Sequence, residues 1–110
     1  MIYVMNSAVM PAGCFGTYQY LPASVDDLAA VLKGEYGPWQ STLGYPQNLD
    51  LVHKWTGIRP PLNRVNNKFL VGDSAIVMRL KRRVANPKTK GAQVSESPDD
   101  WEFAWVHFIL

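Results

Sequence analysis

Residues 41–64, STLGYPQNLDLVHKWTGIRPPLNR, carry the densest set of groups able to handle an anion. A small-residue loop ending in Gly44 and Tyr45 leads into a helix whose first position is Pro46. Proline suits that position because the N–H it lacks would have no partner there. The exposed amides of such a helix start can hold an anion at residues 44–47 without a dedicated side chain. The plainer alternative is a capped surface helix that binds nothing. Beyond a stop at Gly57 and two prolines, Asn63 and Arg64 add an amide and a guanidinium. Arg79, Lys81 and Arg83 then recur at every second residue with no acid between Asp73 and Glu96. That row is either a phosphate cradle or an ordinary solvated strand face. Tyr36, Trp39 and Tyr45 either stack on bases or fill core and interface. Phosphate recognition beside base stacking describes a nucleotide site.

Other chemistries lack their residues. Cys14, His53 and His107 are the only cysteine and histidines, and their spacing fits no metal site. No G-x-x-x-x-G-K-[ST] loop, G-x-G-x-x-G fingerprint or G-x-S-x-G elbow occurs, which removes the standard NTPase, dinucleotide and hydrolase readings. Cys14 reads as a structural thiol in a reducing compartment. His53, alone on its helix, reads as a packing or surface residue.

The elements that must position these groups follow from pattern. At 110 residues and 47% apolar content the chain suits one domain, 1–110, with one core. Apolar runs at 2–5, 17–21, 66–71, 75–83 and 101–110 predict strands, the first ending at Asn6 and Ser7. Ser24 and Asp27 form a capping-box pattern ahead of a helix that ends at Gly34, and a second helix spans 46–56. Residues 35–40, with Gly37 and Pro38, read as an irregular connection able to act as a flap, and 85–100 as a long exposed loop with room for a helical turn. In 75–83, alternation sets Ile76, Met78 and Leu80 on the core side and Arg79, Lys81 and Arg83 on a polar face. The expected fold is α/β, a mixed sheet of about five strands with two main helices. Neither a signal peptide nor a membrane-spanning run is evident, so a cytoplasmic protein is expected, in the host cytoplasm if viral. Net charge is only +2, yet six of the eleven basic residues fall in 79–90, which favours a local anion site over general basicity.

Several blocks taken in order resemble the viral anti-CRISPR ring nucleases and their cellular relatives. They are NSA near the start, GTYQYL, the STLG loop before a helix ending at Gly57, LNR, GDSAIV, and a basic strand ending in RV. The resemblance spans nearly the whole chain. It implies a homodimer, or a higher symmetric oligomer, that binds a cyclic oligoadenylate messenger in a cleft between subunits and silences prokaryotic antiviral immune signalling. It also implies a reaction without metal or cofactor, in which the ribose 2′-hydroxyl attacks the adjacent phosphate. Carried over by position, Asn6, Ser7, Arg64 and Arg83 would contact ligand, with the guanidinium groups serving as planar phosphate donors.

Two departures bear on catalysis. Where the family has its catalytic histidine, after the loop glycine, this chain has Tyr45 following Gly44. Where it has a glutamate, the chain has Asn86. Imidazole, with a pKa near 6.5, exchanges protons at neutral pH, whereas a phenol near 10 donates but is a poor base. Sequestration or slow cleavage is therefore expected, with an active ring nuclease using Tyr45 as proton donor as one alternative. A general nucleic-acid-binding module using the basic strip and a ligand-free interaction domain are the others.

Overall fold

The computed structural model describes residues 1–6, 13–63, 69–81 and 96–110. The elements run β1 (Ile2–Met5), β2 (Tyr18–Ala23), α1 (Val25–Leu32), β3 (Trp39–Ser41), α2 (Pro46–Thr56), β4 (Ser74–Leu80) and β5 (Trp101–Phe108), with a 3-10 turn at Pro98–Asp100. The five strands form one mixed sheet in the order β2-β5-β4-β1-β3. β1 pairs parallel with both β3 and β4, while β5 pairs antiparallel with β4 and β2. This is the expected α/β architecture of five strands and two helices.

Both helices begin and end on local signals. The Ser24 hydroxyl accepts from the Asp27 N–H at 3.3 Å and the Asp27 carboxylate accepts from the Ser24 N–H at 2.9 Å, a reciprocal cap. Helix α2 starts with Pro46 at its first turn and stops where Gly57 takes φ 81°, a left-handed conformation that glycine adopts without steric cost. Leu28, Val31 and Leu32 of α1 and Leu49, Leu51 and Val52 of α2 pack with Val4, Ile76, Met78, Trp101 and Phe103 on one face of the sheet. Burying each large aliphatic side chain there contributes about 1.5–3 kcal/mol.

No helix of the described residues covers the opposite face, whose apolar cluster comprises Tyr3, Phe69, Ala75, Val77, Val106 and Phe108. This corrects the strand reading of 75–83. The face assigned to cations is apolar along its first half, because Ala75 and Val77 are buried there. The strand itself runs Ser74–Leu80, and Arg83 lies outside the described residues. The segment 35–40 is corrected too: Trp39 and Gln40 pair with Ile2 and Tyr3 as the start of β3, leaving only the stretch before them irregular. Residues 69–71 are not in a strand, and 66–68 lie outside the described residues.

Three phenols are pushed above their ordinary value of 10.0: Tyr3 by burial and the Asp73 carboxylate, Tyr18 by burial and Cys14, Tyr20 by burial and Glu102. A phenol with a raised folded pKa favours the native state while protonated. Its contribution is complete below its unfolded value and is lost as pH rises through the folded one. Absorbance titration of tyrosinate is therefore expected to show these three lagging behind free tyrosine, with stability falling above about pH 10. Replacing Tyr3, Tyr18 and Tyr20 together by phenylalanine should flatten that alkaline decline.

Candidate functional site

Because β1, β3 and β4 are parallel, their C-terminal ends meet at one edge of the sheet, where α/β domains gather ligand-facing groups. Asn6 follows β1 there and is half-buried. The β3–α2 loop follows β3, and Lys81 follows β4. Met5 is level with Val77, so Lys81 stands three residues, about 10 Å, beyond the level of Asn6. The β4–β5 ribbon thus projects as a wall above the shorter β1 and β3.

The β3–α2 loop is pinned from both sides. Thr42 donates its N–H and its hydroxyl to the Val4 carbonyl, each at 2.9 Å. The buried Ser41 hydroxyl accepts from the Leu43 N–H at 3.2 Å. Asn63 donates its N–H to the Leu43 carbonyl at 3.0 Å and its side-chain amide to the Ser41 carbonyl at 2.8 Å. Asn63, expected as a ligand contact, therefore devotes these donors to holding the loop. Removing its side chain leaves the Ser41 carbonyl without that donor, and Asn63→Ala is expected to cost about 1–3 kcal/mol in chemical denaturation.

Tyr45 occupies the N-cap of α2 with extended φ −120° and ψ 120°, and its half-exposed side chain does not cap the helix. Its carbonyl accepts from the N–H groups of Asn48 (3.0 Å) and Leu49 (3.4 Å). Pro46 has no N–H, and neither Gly44 nor Tyr45 is without a partner. The helix start is thus poorer in open donors than the sequence suggests, with Gln47 supplying the remaining first-turn amide. The first turn holds no acid, however, so no carboxylate within that turn offsets the positive end of the helix dipole.

The cations separate in behaviour. Arg79 donates from Nε (3.2 Å) and from Nη2 (3.1 Å) to one Glu102 carboxylate oxygen, while the Tyr20 hydroxyl donates to the other at 3.2 Å. The hydrogen bond and charge of Glu102 raise the Arg79 pKa further. Arg79 is accordingly neutralised by an acid 23 residues away in sequence, which alternation within its own strand could not reveal. Lys81 has no ion pair among the described residues. It borders a depression of about 360 Å³ on the β2–β5 side of the ribbon, lined also by Tyr20, Pro22, Ala104 and the Glu102 carboxylate.

Of the aromatic candidates, Trp39 packs against the helix-side core. Tyr36 sets its edge on Trp105, with centroids 5.4 Å apart at 78°. Tyr45 is the one that follows a strand on the candidate edge. Ser7, Arg64, Arg83 and Asn86 lie outside the described residues. Among the described residues, no three His, Cys, Asp or Glu side chains gather as metal ligands, and no helix is long and apolar enough to cross a membrane.

Residues 2–97 match the STIV B116-like family model. The chain belongs to the STIV B116-like family. A viral relative, the uncharacterized protein ORF117 of Acidianus two-tailed virus, is 24% identical over 86 residues, covering 77% of this chain and 74% of its own. Among solved structures, B116 of Sulfolobus turreted icosahedral virus superposes with a TM-score of 0.72 at 19% identity, covering 96% of this chain and 97% of that one. At that identity the likeness is one of fold. B116 therefore shares the fold whose C-terminal sheet edge carries Asn6, Gly44 and Tyr45 in this chain.

Proposed function

We propose that this protein binds a cyclic oligonucleotide of the cyclic-oligoadenylate type in a cleft between two copies and suppresses prokaryotic antiviral signalling by holding the ligand or opening it slowly. The observation that carries the reading is Tyr45. It is half-exposed at the start of α2, on the shared C-terminal edge of three parallel strands, in the position where the resembled ring nucleases have their proton-handling histidine. The surroundings favour an anion: no first-turn acid in α2, Asn6 beside the loop, and, on the projecting ribbon, Lys81 with no ion pair among the described residues. Arg64 and Arg83, carried over from the resemblance, supply the phosphate-binding guanidinium groups of the proposal. A second copy brings a second set of these groups to the same ring.

The Glu102 carboxylate takes Arg79 out of the basic strip that a general nucleic-acid module would use. The test is to incubate the purified protein with cyclic di-, tri- and tetranucleotides, wash, heat, and identify what is released. Intact ring marks a protein that holds its ligand, and linear product marks an enzyme. Release of neither, from any member of the panel, contradicts the proposal.

A further inference from the structure

We propose that the end of the sheet opposite the candidate site is a self-association surface, where a second copy of this chain packs apolar end against apolar end. Met1 precedes β1, residues 69–72 precede β4, residues 13–17 precede β2, and residues 109–110 follow the antiparallel β5, so topology brings all four segments to one end. Hydrogen bonds fix them together: Thr17 N–H to the Leu110 carbonyl (2.8 Å), Ile109 N–H to Thr17 (2.9 Å), Gly72 N–H to Phe108 (2.9 Å) and Ser74 N–H to Met1 (3.1 Å). Gly16 approaches so closely that a Cβ there would sit 2.3 Å from the Leu110 carbonyl oxygen and from the Phe108 ring. The surface is thus formed before any partner arrives.

It is apolar, and its exposed side chains carry no charge. Phe15 is 91% exposed and Val71 61%, while Met1, Leu70, Ile109 and Leu110 each expose close to half of their surface or more. No Asp, Glu, Lys or Arg occurs in residues 13–17, 69–72 or 109–110. The adjoining carboxylate of Asp73 is buried and satisfied by the Met1 amine at 3.3 Å and the Leu70 N–H at 2.8 Å. The six side chains offer on the order of 600 Å², at the top of the range for the largest patch on a monomer and approaching the roughly 800 Å² per partner of a stable interface. A second copy suits such a surface, because two identical patches of uncharged side chains, with the one amine of each paired to Asp73, meet with little like-charge repulsion. The seven residues of β4, roughly 20 Å, separate this end from the candidate edge, so both can be engaged at once.

The test compares the solution mass of wild type with that of Val71→Lys and of Phe15→Lys across micromolar concentrations by sedimentation. Both substitutions fall on exposed loop positions and put like charges face to face. The expected result is a two-fold larger mass for wild type than for either variant, with ligand retention unchanged. Equal masses for all three proteins overturn the proposal, whatever that mass is. Loss of ligand together with the halved mass also overturns it, since the patch would then belong to the cleft interface.

Discussion

Tyr45→His is expected to accelerate opening of a cyclic oligoadenylate by about 10²- to 10⁴-fold over wild type, the span that general acid–base assistance ordinarily supplies. Imidazole near pKa 6.5 can both take and return a proton at neutral pH, which a phenol near 10 cannot do. The site tolerates the exchange, because the Tyr45 side chain is half-exposed and the helix start relies on its backbone carbonyl. Tyr45→Phe serves as the control, expected to retain ligand while opening it no faster than wild type. Single-turnover chromatography of linear product measures all three. An unchanged rate in Tyr45→His would remove residue 45 from the proton-handling position.

Leu49→Ala is expected to destabilise the fold by about 2–5 kcal/mol, the range for deleting a buried leucine that leaves a cavity. Leu49 is 1% exposed and seats α2 against the core. Leu62→Ala, at an exposed position near the same site, should stay within about 0.5 kcal/mol of wild type. Urea denaturation of the three proteins gives the comparison. A small loss in Leu49→Ala would mean that α2, and Tyr45 at its start, is not anchored as described.

Where structure follows from local chemistry, the sequence was legible. The Ser24–Asp27 cap, Pro46 and Gly57 each act within one helical turn, and α2 runs Pro46–Thr56 as expected. Where structure follows from pairing, it was not. β3 has only three residues behind Gly37 and Pro38, and it exists because β1 offers a parallel edge. Alternation in β4 separates Ile76, Met78 and Leu80 from the cations but does not show what else the cation-bearing face packs against. Ala75 and Val77 share that face and are buried against Phe69, Val106 and Phe108, contacts with no local signature. The same holds for the candidate site. The helix start and Tyr45 could be read directly, whereas the loop-holding role of Asn63 depends on Ser41 and Leu43 some twenty residues earlier. The Glu102 partner of Arg79 is likewise a product of β4–β5 register.

The most direct measurement is native mass spectrometry of the Val71→Lys protein, in which the end-to-end contact is removed, mixed with cyclic oligoadenylates of several ring sizes. Two chains carrying one intact or slowly opened ring are predicted. Single chains, or pairs that take up no ring of any size, would contradict the account.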